Sequence, residues 1–303
     1  MLDLFGIFFN NLLPIFLAAG VGALLSWKAK LEVKHISKVL FYIFTPCLVF
    51  KLILANYSPD MKLGSLVLVI VISQIVMIVL VFLIGKALRY SREMIAAMIL
   101  PTVTLNAGNM GMPVCLFVFG DDGLSYATIF FLISILGTYT FGVMAASMGK
   151  KSIKDSLLGL LKLPMIYSVL FALIVIWTGW SIPLPVERTV NILGDAAIPT
   201  MLIVLGMQLQ KAKLKENIQA LTITTGMRLI VGPLIVFGLT VAFGITGLSQ
   251  QVTLLQSGMP GAVTSTVLAT EYDIKPSFVT AAVAVATILS PLTLTPLISL
   301  LTS

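Results

Sequence analysis

Apolar runs of about 20 residues recur from one end of this chain to the other. As a helix, a run of that length crosses the ~30 Å hydrocarbon core of a bilayer. Lipid offers no partner for backbone N–H and C=O groups, so only helices and closed barrels span it. The runs are continuous rather than alternating, and the fold class they imply is an all-α polytopic membrane protein. Only 10% of the 303 residues are charged and 58% are hydrophobic, against roughly 25% charged in soluble domains. That deficit excludes an ordinary cytosolic enzyme.

Ten spans are expected: Leu4–Leu25, Ile36–Ala55, Leu63–Gly85, Met94–Phe119, Leu124–Met148, Leu157–Trp180, Thr189–Leu209, Ile218–Gly244, Ser249–Thr270 and Ser277–Leu301. No soluble domain interrupts them. The start, "MLDLFGIFFNN", has no basic n-region, so no cleaved signal peptide is expected. The net charge of +7 does not point to nucleic acid, because the basic residues sit in short loops. Loops 1, 3, 5, 7 and 9 hold 15 of the 19 Lys and Arg residues, whereas the even loops and their flanks hold Lys51, Lys62 and Arg188. The positive-inside rule then puts the odd loops in the cytoplasm and both termini outside. Cys47 and Cys115 lie in apolar segments and read as small buried hydrophobes.

Five spans precede the basic stretch at 149–156 and five follow it, so the second half enters the membrane with opposite polarity. The halves, residues 1–148 and 157–303, carry matching marks. Pro46 follows His35 by eleven residues in the second span, as Pro199 follows Arg188 in the seventh. "LNAGNMG" at 105–111 and "LQSGMPG" at 255–261 share a Leu-(Asn/Gln)-small-Gly-x-x-Gly frame at an offset of 150, and a rival alignment of the two "GMP" triplets gives 147. Both put a break in the fourth span and another in the ninth.

Paired Gly/Pro-interrupted spans in the two halves of a membrane protein point to a transport site. Gly108, Gly111 and Pro113 are expected to interrupt the hydrogen-bond ladder of the fourth span. A break leaves free N–H groups at the start of one half-helix, worth roughly half a positive charge, where an anion can bind without a buried lysine. Asn106 and Asn109, with Gln256, Ser257 and Thr264 on the ninth span, are the candidate polar ligands. Gly258, Pro260 and Gly261 shape the second break, and Met110, Met112 and Met259 are candidate apolar walls. In a bland alternative the asparagines only repair a kinked helix. No "TVGYG" potassium filter is present.

Two charges lie well inside spans, Asp195 and Arg228. Intramembrane charges are functional candidates because each costs at least ~2.5 kcal/mol to insert. Asp195 is a candidate to carry a coupling ion, or the two form a structural pair. Lys51 reads as a side chain snorkelling to the outer surface. With one histidine, His35, and no HExxH, GxxxxGK[ST] or CxxC, no metal site or nucleotide cofactor is expected, and H+ or Na+ are the candidate coupling ions.

Several stretches together resemble the auxin efflux carrier family, which includes plant PIN exporters and many bacterial permeases. "LNAGNMGMP" is similar to the family's fourth-span motif, with Asn106 seven residues before Pro113. "MPGAVTSTVLATEYDIKP" is similar to the ninth-span motif through Pro260, Gly261, Glu271, Tyr272 and Pro276, and "MRLIVGP" to the eighth-span stretch through Arg228, Gly232 and Pro233. The resemblance implies ten helices in two inverted five-helix repeats with broken, crossing helices 4 and 9, shared with bile-acid sodium symporters and sodium/proton antiporters. It implies an elevator, with spans 3–5 and 8–10 moving against a scaffold of spans 1, 2, 6 and 7, and a homodimer through that scaffold. The substrate it implies is a small carboxylate such as malate, malonate or an auxin-like acid. The location expected is the bacterial inner (plasma) membrane, with the bilayer and the substrate as partners and no nucleic acid. The plant proteins carry a long loop between the halves, and here only about ten residues stand there. The rival function is a cation/proton-coupled exchanger using Asp195.

Overall fold

The computed structural model describes residues 4–56, 63–146, 163–209 and 216–302. The expected linker at 149–156 lies outside the described residues. No β-strand forms among them, and seven helices are long and apolar enough to cross a membrane. These are α1 (Leu4–Ala29), α2 (Val33–Ala55), α3 (Leu63–Ala87), α5 (Ala107–Ala145), α7 (Leu184–Gln208), α8 (Ile218–Ala242) and α11 (Pro276–Thr302). Four shorter helices join them: α4 (Arg92–Val103), α6 (Pro164–Thr178), α9 (Gly247–Ser257) and α10 (Val263–Glu271). Helix α5 is really two arms. Gly120 divides it in a left-handed conformation (φ +67°, ψ −160°) that a side chain rarely adopts.

Proline writes a regular irregularity into these helices. Widened π-turns occupy Phe8–Leu12, Leu40–Phe44, Ala107–Gly111, Thr138–Gly142 and Met227–Val231. In all but Thr138–Gly142 a proline follows two residues later, at Pro14, Pro46, Pro113 and Pro233. Proline donates no N–H, and its ring collides with the carbonyl four residues back. Widening the preceding turn moves that carbonyl aside, and the helix continues. The residue before Pro14 thus donates five residues back, Leu13 to the Phe8 carbonyl, and Thr45 before Pro46 does the same to Leu40.

In lipid there is little hydrophobic drive between helices, so association rests on close packing and small residues. The most extensive contact joins α1 and α7. Gly22 lies against the Ile203 carbonyl and Gly206 against the Ala19 carbonyl, so a Cβ at either position would strike backbone. The buried side chains form two main clusters. One packs Leu12, Ile15, Met201 and Leu205 of α1 and α7 against Met110, Met112, Met259 and Leu294. The other packs Met77, Ile95, Leu100, Ala220, Leu268 and Phe278, from α3, α4, α8, α10 and α11.

Gly206→Val is therefore expected to lower stability by about 3 kcal/mol or more, since the clash is with backbone that cannot re-rotamerise. Gly20→Val, where a side chain meets nothing within 4 Å, is expected to change it by less than about 0.5 kcal/mol. Equilibrium unfolding in mixed detergent micelles reads both.

Candidate substrate site at the crossing of two broken helices

Helix α4 ends at Val103, and the next residues turn extended, with Thr104 at φ −91°, ψ 96°. Helix α9 ends at Ser257, and Ala262 before α10 is likewise extended, at φ −81°, ψ 151°. The two breaks meet as an antiparallel bridge between Leu105 and Gly261. The Asn106 N–H donates to the Pro260 carbonyl at 2.9 Å, and the Ala262 N–H donates to the Thr104 carbonyl at 2.7 Å. Each break thereby satisfies backbone groups of the other that lipid would leave unpaired. Gly261 is required for the close crossing, because a Cβ there would lie 2.7 Å from the Pro101 carbonyl oxygen.

Four helix ends converge at this point, two of them C-terminal. Arg228, 4% exposed, lies in the π-turn before Pro233. Its Nη1 donates to the Thr102 carbonyl at 2.7 Å and its Nη2 donates to the Ser257 carbonyl. One guanidinium thus bridges the ends of α4 and α9. Two C-terminal dipole ends sum to about one negative charge, which a single cation balances. Gly232 makes room, since a Cβ there would sit 2.8 Å from the guanidinium. No carboxylate pairs with Arg228 among the described residues.

The other two ends are N-terminal, those of α5 and α10, and they border a cavity of about 760 Å³. Leu105, Asn106, Gly108, Asn109, Ala262, Val263 and Thr264 line it there. The walls come from Phe41, Tyr42 and Thr45 of α2, Phe131, Ser134 and Thr138 of α5, Met201 and Leu205 of α7, and Thr280 and Thr287 of α11. Lys34 and Lys38 border it, and among the described residues no Asp or Glu does. Asn106 is 4% exposed, and its side-chain Nδ2 has no hydrogen-bond partner.

Of the expected site residues, Asn106, Gly108, Asn109 and Thr264 thus reach the cavity. The structure places the rest elsewhere. Met110, Met112 and Met259 are fully buried in the core cluster with α1 and α7, and none of them lines the cavity. Gly111 and Pro113 do not break the ladder. They belong to the π-turn and the α-turn after it, and the non-helical residues lie earlier, at Thr104–Asn106. Gly111 packs against the buried side chain of Gln256, whose Nε2 donates to the Ala107 carbonyl at 3.4 Å. Ser257 accepts from Arg228, Gly258 packs against Leu294 and Leu297, and Pro260 and Gly261 form the bridge.

Asp195 and Arg228 do not pair. Asp195 accepts from Lys51 Nζ at 2.5 Å with its side chain 64% exposed, and it is outside the cavity lining. The snorkelling Lys51 has found a carboxylate on α7, which ties α2 to α7. Sequence reasoning passed over Ser134, Thr138, Thr280 and Thr287. Their spacing was the available signal, since 134 and 138 share one helix face, as do 280 and 287.

Residues 7–298 match the family model described as "Membrane transport protein", and the chain belongs to this family, that of the auxin efflux carriers. An uncharacterized transporter of Methanocaldococcus jannaschii is 29% identical over 268 residues, covering 85% of this chain and 86% of that one. A putative malonate transporter of Rhizobium meliloti is 24% identical across 100% of this chain and 95% of its own. Auxin efflux carrier component 3a of Oryza sativa subsp. japonica is 28% identical over 132 residues, 41% of this chain and 21% of its own. The protein is a multi-span membrane transporter, not an enzyme.

Arg228→Leu is expected to destabilise the fold by about 3 kcal/mol or more, because it strands two buried carbonyls that now receive charge-assisted hydrogen bonds. Arg228→Lys, which retains the charge and one donor contact, is expected to recover about half. Unfolding midpoints of the three proteins in mixed micelles test the ranking.

Proposed function

We propose that this protein is a secondary-active or facilitative carrier of a small organic anion, with the carboxylate bound at the N-terminal ends of α5 and α10. The observation that carries this reading is the polar end of the cavity. Two positive helix ends and the polar side chains of Asn106, Asn109 and Thr264 border one space, and no acidic side chain among the described residues lines it. The two ends supply about one positive charge, matched to one carboxylate. The apolar and aromatic walls fit an organic body, and the volume falls in the ~300–1,000 Å³ range of small-molecule sites.

In this reading the chain has ten spans in two inverted five-helix repeats. The first arm of α5 completes the span begun by α4, its second arm is the fifth span, α6 is the sixth, and α9 with α10 make the broken ninth. Spans 1, 2, 6 and 7 are the scaffold, through which two copies pair, and spans 3–5 and 8–10 carry the site past it. The cavity lies between α2 and α7 on one side and α5, α10 and α11 on the other, which supports sliding of one unit against the other. With the basic loops in the cytoplasm and both termini outside, in a plasma membrane, the cavity opens inward. Met110, Met112 and Met259, packed against α1 and α7, then seal the outer half. Arg228 already compensates the C-terminal helix ends, so an H+ or Na+ coupled to transport would act elsewhere. The malonate named for one relative makes malonate the first substrate to try.

Asn106→Ala is expected to weaken binding of a transported carboxylate about tenfold, the loss of a buried hydrogen bond to a charged group, while leaving the unfolding midpoint within 2 °C of wild type. Calorimetric titration with malonate, malate and aromatic monocarboxylates reads it, and unchanged affinity across all that bind refutes the site. Asp195→Asn is expected to leave transport and its pH dependence unchanged in proteoliposomes. An abolished pH dependence would instead favour exchange through Asp195.

A further inference from the structure

The cavity has a second charged feature that the carboxylate site does not use. Lys34 and Lys38 stand one turn apart near the start of α2, both exposed, and both border the cavity. Spacing of three and four residues puts side chains on one helix face, so the pair presents two ammonium groups to the same opening. Neither has a carboxylate partner among the described residues. Other basic residues at the ends of these helices, Lys28 and Lys86 among them, do not border the cavity. At the other end of the scaffold Lys51 is neutralised by Asp195.

Distance decides what the pair can do. From Lys34 to Thr45, which also borders the cavity, α2 rises roughly 16 Å at 1.5 Å per residue. A short dicarboxylate held at the crossing does not span that length, so the lysines do not form a second binding subsite for it. Their field does reach inward. The screening length is about 8 Å at physiological salt and longer in dilute buffer, and low-dielectric walls focus a field along a cleft. Such charges raise capture rates more than they tighten the bound complex.

Resting on the anion-carrier reading above, we propose that Lys34 and Lys38 form an anion-collecting entrance on the face with the basic loops. Capture from that face rises with the number of negative charges on the substrate and falls with salt. Capture and release at one face are reverse steps, so the field acts on both, and kcat/KM for flux in either direction carries the same dependence on substrate charge and salt. Because the pair stays on the scaffold and never holds the bound substrate, it changes kcat/KM through KM and leaves kcat alone.

The test is the Lys34→Gln/Lys38→Gln double variant in inside-out and right-side-out membrane vesicles, with radiolabelled malonate and monomethyl malonate as probes. In inside-out vesicles at about 20 mM ionic strength, kcat/KM for malonate is expected to fall about fivefold, and that for the monoester about twofold. Both kcat values stay unchanged, and the difference from wild type vanishes near 0.5 M salt. With no gradient or potential across the membrane, right-side-out vesicles are expected to show the same fold-loss in kcat/KM, and a Lys28→Gln/Lys86→Gln control is expected to match wild type in either vesicle. An unchanged kcat/KM at low salt, an equal loss for both probes, or a loss that salt does not erase overturns the entrance while leaving the carboxylate site standing. If the wild type transports neither these probes nor any other carboxylate, the carrier reading fails and the entrance with it.

Discussion

Two backbone hydrogen bonds hold the middle of this protein together: Asn106 N–H to Pro260 and Ala262 N–H to Thr104. In water a broken helix can leave its ends to the solvent, but inside a bilayer each unpaired group costs several kcal/mol. A single break would be ruinous, and two breaks pressed edge to edge satisfy each other. That mutual dependence fixes the rest. It brings the chain at Gly261 so close to Pro101 that only glycine fits. It also gathers four helix ends at one depth, two of each sign.

The sorting of those ends by sign then separates structure from function. The negative ends of α4 and α9 receive the Arg228 guanidinium, delivered by a π-turn and given room by Gly232. The positive ends of α5 and α10 face the cavity with Asn106, Asn109 and Thr264 beside them. About one unit of negative charge is compensated inside the protein by Arg228. In the proposed reading the remaining positive ends are left for an anion.

Much of this was legible in the residues, with instructive gaps. The breaks were readable because Asn, Gly and Pro cluster where lipid favours leucine. Their register was not. Matching motifs offered offsets of 150 and 147, the first aligning Asn106 with Gln256, yet Leu105 meets Gly261, which puts Asn106 at the start of one half-helix and Gln256 in the last turn of another. A shared letter pattern carries no information on which turn is extended. Pro113 looked like the breaker, but a π-turn absorbs a proline and the chain opens some seven residues earlier. The methionines looked like cavity walls because composition does not say which side of a helix faces a void. Arg228 was conspicuous as an intramembrane charge, but its partners are backbone carbonyls, which every residue has and no sequence pattern marks.

The central claim is that a carboxylate occupies the space between the α5 and α10 N-termini. Its most direct test is site-specific alkylation of Thr264→Cys in a Cys47→Ser, Cys115→Ala background, with a charged thiol reagent applied to the face with the basic loops. The cysteine is expected to react readily from that face, and saturating malonate, or whichever carboxylate is transported, is expected to slow the reaction at least tenfold. A reaction rate that stays the same while such a carboxylate is bound would contradict the claim.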